Sequence, residues 1–198
     1  MTDLAWRKQG VNWFHTAGLL LLLALPGMAQ NTSHRPDNWA RPMALPGVPN
    51  CYRVTTNLYR GAQPTEAGMR QLKALGIKTV INLRAFHSDA VGKAGLKNIH
   101  LETTPWHLEE TDVVAFLKEV ANSTNLPVFV HCERGADRTG TMCAMYRIVL
   151  CGWTKSEAIA EMENGGFKFN PVWKNLVALI ENADVAEIRR RLGMPPPP

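Results

Sequence analysis

The sequence predicts an α/β fold with a central, mostly parallel sheet flanked by helices and with a helical C-terminal third. Apolar, β-branched stretches alternate with helical patterns along the chain, which favours this class. Residues 127–130 are apolar throughout, as is typical of a strand buried on both faces. Residues 131–140 then connect this strand to a helical pattern, so they should lie at the carboxyl end of a parallel strand.

Glycines, prolines and capping residues define the other elements. Further strands are expected at residues 57–60, 77–83 and 98–103. Helices are expected at residues 65–75, 111–121, 141–150, 154–164 and 170–180. Gly76 and Gly152 follow two of these helices, and Thr154 and Glu157 form a capping box at the start of another.

The connection after residue 130 has the properties of an anion site. A loop that leads into a helix N-terminus directs unpaired backbone N–H groups and the positive end of the helix dipole at one point, which suits a dianionic group. Cys132 opens this loop, and beside Arg138 it should ionise readily and act as a nucleophile. The Arg138 guanidinium offers paired donors to two oxygens of a phosphoryl group.

The residues between and after these two complete the candidate substrate-binding set. Its members are Glu133, Arg134, Gly135, Ala136, Thr139 and Gly140. The glycines suit sharp bends or a close approach to the anion, and the Thr139 hydroxyl can stabilise the cysteine sulfur as a leaving group. Glu133 and Arg134 should face outward and tune substrate choice. His131 is expected to brace the cysteine through hydrogen bonds rather than to act as a base.

This loop resembles the signature of the cysteine-dependent phosphatases, in which His-Cys is followed by five residues, Arg, and Ser or Thr. The segments 58–64 and 76–84 extend the resemblance to the atypical dual-specificity phosphatases of bacteria, plants and fungi, over roughly residues 52–180. The resemblance implies a protein tyrosine phosphatase-like fold and hydrolysis of phosphate monoesters through a phospho-cysteine, without a metal or another cofactor. The implied substrates are phosphorylated proteins, phosphoinositides or inositol phosphates.

The general acid is the open point of this hypothesis. Many relatives use the Asp of a Trp-Pro-Asp loop, but residues 106–108 of this chain read Trp-His-Leu. Asp137 matches the Asp of the myotubularin loop and is one candidate, although it can equally brace the loop through Arg134 or a backbone N–H. Three further candidates lie on the segment after Trp106: Glu109, Glu110 and Asp112.

Two other functions use similar residues. A rhodanese-like sulfurtransferase also places a cysteine in a loop of an α/β fold, but its loop is shorter and lacks the Arg-Thr-Gly exit. A catalytically inactive domain that binds phosphorylated ligands is suggested by the absent Trp-Pro-Asp acid. The net charge of +5 is spread along the chain, so nucleic-acid binding has little support.

The N-terminal residues have the pattern of a targeting segment. Arg7 and Lys8 precede an apolar stretch, and small residues end at Ala29, which predicts a signal peptide over residues 1–29 and export to a bacterial periplasm. An uncleaved segment that anchors the chain to a membrane is the alternative. Residues 30–50 should form an extended lead-in, 51–192 the globular domain and 193–198 a disordered tail.

Four cysteines leave the question of disulfides open. Cys143 and Cys151 would lie two helical turns apart, roughly 12 Å, which is too far for a bond. A reversible bond between Cys51 and Cys132 would protect the nucleophile, but the sequence does not show whether the two meet.

Overall fold

The structure is a computed structural model that describes residues 35–89 and 94–196. One compact unit covers Arg35–Pro198. The predicted signal segment, residues 1–29, lies outside the described residues. Among the helices that are described, none is both long and apolar enough to cross a membrane.

The unit is built on one six-stranded sheet. Its strands are β1 (Arg41–Pro42), β2 (Tyr52–Arg53), β3 (Leu58–Gly61), β4 (Thr79–Arg84), β5 (Lys97–Thr103) and β6 (Val128–His131). Their order across the sheet is β1-β2-β3-β6-β4-β5. The pairs from β3 to β5 are parallel, and the two pairs at the β1 edge are antiparallel. The predicted central, mostly parallel sheet is therefore confirmed.

Within residues 35–89 and 94–196, six α-helices flank this sheet. They are α1 (Glu66–Ala74), α2 (Glu110–Ala121), α3 (Asp137–Cys151), α4 (Lys155–Asn164), α5 (Lys174–Asn182) and α6 (Val185–Arg191). Thr65 caps α1 by accepting a hydrogen bond from the Gly68 amide, and the capping box of Thr154 and Glu157 opens α4, both as predicted. Gly152 ends α3 in the left-handed conformation, which glycine adopts without strain.

Strand β6 lies at the centre of the core because its side chains alternate between two apolar clusters. Val128 and Val130 belong to the larger cluster with α2 to α6, whereas Phe129 belongs to the smaller one with α1. All four residues of β6 are buried, and the strand lies one residue later than the apolar run of residues 127–130 predicted. The loop that follows β6 is thus carried by the most enclosed strand of the sheet.

The segment before Cys51 is packed more closely than the sequence indicated. It is extended, but β1 extends the sheet, and Ala40 and Val48 are 1% and 3% exposed. Ala40 donates its amide to Glu161, whose carboxylate also pairs with Arg147 at 2.9 Å inside the core. The expectation that the globular domain begins near residue 51 is therefore wrong, since it includes the chain from residue 35 onward.

Several element ends also differ from the predictions. Helix α2 begins after Glu109, because Glu109 and Asp112 form a capping box that the sequence analysis had missed. Helix α5 begins at Lys174, since the Asn170 side chain accepts from the Val172 amide and holds a turn there.

The end of the chain also departs from the prediction of a disordered tail. Gly193 and Met194 donate their amides back to α6, at Arg190 and Arg189, in a helix-ending motif. Residues 193–196 therefore belong to the compact unit. Residues 197 and 198 lie outside the described residues.

Candidate active site

The loop of residues 132–136 leaves β6 and enters the N-terminus of α3, which begins at Asp137. The described part of the chain supplies no hydrogen-bond acceptor for the amide groups of residues 133–138. These amides lie just before and within the first turn of a 15-residue helix, where the helix dipole is positive. The loop therefore has the free donors that an anion requires.

The carbonyl groups of the same loop are all used by the protein. Cys132 O lies 3.1 Å from the His131 Nδ1 atom, and Glu133 O accepts from the Gln63 amide at 3.1 Å. Asn50 donates its side-chain amide to Arg134 O at 3.0 Å. Because the surrounding residues hold the loop by its carbonyl oxygens, the amide hydrogens remain available to a ligand.

Arg60 completes this support from beneath the loop. Its Nη2 donates to Gly135 O at 2.9 Å and to Ala136 O at 3.4 Å, and its guanidinium lies 3.8 Å from the centre of the Phe167 ring. The side chain is 2% exposed, its Nε has no hydrogen-bond partner, and no described carboxylate lies within 4 Å of it. Arg60 is a buried, unneutralised cation below the candidate anion site.

No role for Arg60 was predicted from the sequence, although this residue lies in the segment 58–64 that carries part of the family resemblance. The same segment also explains Gly135, which has a φ of +66°. A Cβ atom at this position would lie 2.2 Å from the backbone of Gly61, so only glycine fits. The segment from Arg60 to Gln63 thus packs against the loop and supports it.

Arg138 is anchored at the ends of two neighbouring strands. Its Nη1 donates to Leu83 O at 2.9 Å and to Thr103 O at 2.8 Å, at the carboxyl ends of β4 and β5. Both bonds use Nη1, so within the described residues its Nε and Nη2 donors are free for an anion. The guanidinium is therefore fixed with its second arm available.

Cys132 is 2% exposed and lines a cavity of about 370 Å³. The cavity lies between the loop, the segment after β4 and the segment after β5. Aromatic and charged side chains form much of its wall. They include Arg84, His87, Trp106, Arg134, Asp137 and Trp173. Trp106 is 68% exposed and Phe86 is 96% exposed at the rim. The nucleophile candidate is thus enclosed, but a phosphoryl group can reach it from the cavity.

Asp137 is the first residue of α3 and lines the same cavity. Its Oδ1 accepts a hydrogen bond from the Asn170 amide at 2.8 Å, which is the bracing role that the sequence left open. Its other carboxylate oxygen has no partner among the described residues. One carboxylate therefore both anchors the segment before α5 and remains accessible to a leaving group.

The other three acid candidates are not brought to the cavity. Glu109 and Asp112 form the capping box of α2, and Glu110 pairs with Arg191 at 3.1 Å. None of the three lines the cavity. The structure therefore separates them from Cys132, and Asp137 is the candidate that it retains.

A family model described as DSP-PTPase phosphatase fused to NAD+ kinase matches residues 50–175. The chain is also 33% identical over 163 residues to the dual specificity protein phosphatase TpbA of Pseudomonas aeruginosa, which covers 81% of this chain and 74% of that protein. This chain belongs to the cysteine-dependent dual-specificity phosphatases. It is accordingly a cysteine-based phosphoric monoester hydrolase. This finding favours the hydrolysis of phosphate monoesters over the sulfurtransferase alternative.

Solved structures place the fold in the same family. The crystal structure of P. aeruginosa TpbA has a TM-score of 0.71 at 32% identity, covering 80% of this chain and 99% of that one. A cysteine-to-serine variant of TpbA in complex with phosphotyrosine has a TM-score of 0.72. The catalytic core of the S. cerevisiae PP-IP phosphatase Siw14 shares the fold at 22% identity, with a TM-score of 0.66.

Two residues in the first turn of α3, Thr139 and Gly140, do not make the contacts expected of them. Gly140 donates its amide to Ala136 O at 2.8 Å, and a Cβ there would meet Met162 at 3.0 Å. The Gly140 amide is therefore used inside α3, and the missing Cβ allows α3 to approach α4; its role in substrate binding stays a prediction. The Thr139 hydroxyl is fully buried and makes no hydrogen bond in the described structure, neither to the cysteine sulfur nor elsewhere.

The cysteines of the phosphatase domain are all free. Burial raises the pKa of the Cys51 thiol to about 11, and burial also raises the pKa of the Cys143 thiol to about 11. Cys51 lies in the smaller apolar cluster and Cys132 in the larger one, so the two are not paired. Cys51 and Cys143 are therefore inert apolar residues at neutral pH.

Replacing Arg60 by Met should separate activity from stability. Met retains packing against Phe167 but cannot hold the loop carbonyls, so kcat/KM for an aryl phosphate should fall about 100-fold. The free energy of unfolding, measured in urea, should stay within about 1 kcal/mol or rise, since an unpaired buried charge is removed. Full activity in the Met variant would contradict the assigned support of the loop.

Proposed function

We propose that the chain dephosphorylates phosphotyrosine in proteins, with Cys132 as the nucleophile. The observation that carries this proposal is the cavity above Cys132, whose walls include Trp106, Trp173 and the exposed Phe86 beside the anion site. A phenyl ring fits between such side chains and gains free energy from aromatic contact. TpbA, which binds phosphotyrosine in its structure, supports the same substrate class.

Charge in the cavity favours one phosphate over several. The lining contains the guanidinium groups of Arg84, Arg134 and Arg138 and the carboxylates of Glu133 and Asp137, which leaves a net charge near +1 with neutral histidine. That balance suits a single dianionic phosphoryl group. A densely phosphorylated inositol ring would bring further phosphates against Glu133, which repels them. Inositol diphosphatase DSP5 of Arabidopsis, a relative at 25% identity, keeps inositol phosphates as the alternative substrate.

The geometry supports a two-step reaction. The Cys132 thiolate attacks phosphorus, the bond from phosphorus to the ester oxygen breaks, and Asp137 donates a proton to that departing oxygen. The free loop amides and the second arm of Arg138 bind the three non-bridging oxygens as charge develops on them. Water then cleaves the phospho-cysteine, with the Asp137 carboxylate taking its proton.

The substrate assignment is tested by comparing purified protein on a phosphotyrosine peptide and on an inositol polyphosphate. We expect kcat/KM to be at least about 10-fold higher for the peptide, and Cys132→Ser to abolish both activities while the circular dichroism spectrum stays unchanged. Glu133→Lys should reduce the preference for the phosphotyrosine peptide, because a lysine at this position attracts the additional phosphates of the inositol polyphosphate. Binding of the peptide without turnover by the wild-type protein would instead identify an inactive phospho-ligand-binding domain.

Asp137→Asn tests the proton donor. Asparagine keeps the oxygen that accepts from the Asn170 amide but cannot donate a proton as an acid, so kcat for phenyl phosphate should fall about 100-fold or more. For an aryl phosphate with an acidic leaving group, which needs less help from a proton donor, the kcat of Asp137→Asn should fall much less. If Asp137 only braces the loop, Asp137→Asn will be active on both substrates and Asp137→Ala, which lacks the oxygen, will not.

We further propose that the protein is exported to the periplasm. Arg7, Lys8 and the apolar stretch before Ala29 support this proposal, together with the start of the compact unit at Arg35, a few residues beyond the expected cleavage site. Expression of the whole chain in a Gram-negative bacterium should give a periplasmic protein whose mass corresponds to a start at Gln30. Recovery of the uncleaved chain in the membrane fraction would favour the anchor instead.

A further inference from the structure

A chain of hydrogen-bonded side chains, buried at His131 and Asp89 and half-buried at Gln63 and Arg84, connects the nucleophile loop to the wall of the cavity. His131, which is fully buried, has its Nε2 atom 2.8 Å from Asp89 Oδ2, and neither side chain is exposed to solvent. Asp89 Oδ1 accepts from Gln63 Nε2 at 2.6 Å. The other end of that amide, Gln63 Oε1, accepts from Arg84 Nη1 at 3.2 Å, and Arg84 lines the cavity. Asp89 belongs to none of the groups assigned above to the reaction.

The hydrogen-bond chemistry of this chain fixes its charges. His131 Nδ1 faces the carbonyl oxygen of Cys132, which can only accept, so Nδ1 carries a hydrogen. His131 Nε2 faces a carboxylate, which also only accepts when ionised, so Nε2 carries a hydrogen as well. A ring that donates from both nitrogens is an imidazolium. A positive charge is therefore buried one residue from the nucleophile, and Asp89 is its counter-ion.

The surroundings agree with an ionised Asp89. Burial opposes its ionisation, but hydrogen bonds from His131 and Gln63 and the nearby His87 outweigh burial, so the pKa of this carboxyl lies below its usual value. The neighbours of His131 across the sheet are Gly61 and Asn82, which carry no charge. On the same face, Phe129 stacks on the imidazole ring, with 5.9 Å between ring centres.

The remaining ionisable groups near this chain do not replace Asp89. Cys51 lies in the apolar cluster of Phe129 and stays a neutral thiol, since burial raises its pKa to about 11. Arg60 and Arg84 are cations, so neither can serve as a counter-ion for an imidazolium. Asp89 is the one carboxylate within 4 Å of the His131 ring among residues 35–89 and 94–196.

We infer that Asp89 is a positioning residue of the phosphatase site, which holds His131 as an imidazolium behind Cys132 and orients Arg84 into the cavity through Gln63. The inference rests on the proposed function only for its kinetic consequences. A buried cation beside Cys132 stabilises the thiolate, so loss of the counter-ion should make the thiolate harder to form. A free Arg84 should bind the substrate less well.

The test measures alkylation of Cys132 by iodoacetamide as a function of pH, because only the thiolate reacts. Mass spectrometry of the peptide that contains Cys132 separates it from the exposed Cys151. In Asp89→Asn, which keeps the size of the side chain, the pH midpoint of alkylation should rise by about one pH unit, a 10-fold loss of thiolate below the midpoint. Asp89→Glu should restore much of the wild-type midpoint.

Two control variants separate the parts of the inference. Gln63→Leu keeps the pair of Asp89 and His131 but releases Arg84, so KM for an aryl phosphate should rise several-fold while the alkylation midpoint stays within about 0.2 pH units. Glu163→Gln exchanges an exposed carboxylate of α4 for an amide and should change neither quantity. An unchanged midpoint in a folded Asp89→Asn protein would overturn the inference.

The alkylation readout also keeps the two proposals apart. A wild-type protein that turns over no aryl phosphate would contradict the proposed function, but its midpoint would still report on Asp89. If Asp89→Asn fails to fold by near-ultraviolet circular dichroism, Asp89→Glu decides the question, since it retains the charge at a different distance. If the alkylation midpoint of Asp89→Glu equals that of the wild type, the result supports a role for the negative charge at position 89. If Cys132 loses its thiolate reactivity although the charge is retained, the inference about Asp89 is overturned.

Discussion

The free amide groups of residues 133–138 are the constraint on which the site depends. A backbone N–H that is withdrawn from water without an acceptor costs about 1–3 kcal/mol, so a loop with several such groups tends to rearrange. The surrounding protein prevents this by occupying the carbonyl oxygens of residues 132–136, through donors on the lead-in, β3, the segment after β3 and β6. The amides are then left without a protein acceptor and can donate to an anion in the cavity.

Buried charge is distributed in a way that agrees with this role. Arg147 is paired with the Glu161 carboxylate in the core, and that pair joins α3, α4 and the lead-in, away from the cavity. Arg60 and Arg138 instead give their hydrogen bonds to carbonyl groups and have no carboxylate partner within the described residues. Two unneutralised guanidinium groups thus raise the potential at the loop, which favours both a thiolate and a phosphate dianion. Arg60 and Arg138, which lack a carboxylate partner, lie at the functional loop, whereas the pair of Arg147 and Glu161 is structural.

Local patterns in the sequence predicted the sheet, the order of the central elements and the loop from His131 to Gly140, because caps, glycines and apolar runs act over a few residues. The contacts that support the loop join residues far apart in the chain. Arg60 reaches Gly135 over 75 positions, and Asp89 reaches His131 over 42. No periodicity reports such a contact. The packing of residues 35–50 was missed for the same reason, since its prolines indicated an extended segment but not the partner against which it lies.

The position of Asp137, the proposed acid, has a consequence for how the site would operate. In relatives with a Trp-Pro-Asp loop the acid lies on a separate segment, but in this chain Asp137 lies in the same turn that binds the anion. Its distance from the phosphoryl group is then fixed by the helix and by its hydrogen bond to the Asn170 amide. Under the proposed mechanism the segment of Trp106 does not have to deliver an acid, and Trp106 lines the cavity wall. If Asp137 is the acid, as proposed, acid and anion site share one rigid element, so proton transfer would require no loop closure and the aromatic rim would be left to select the substrate.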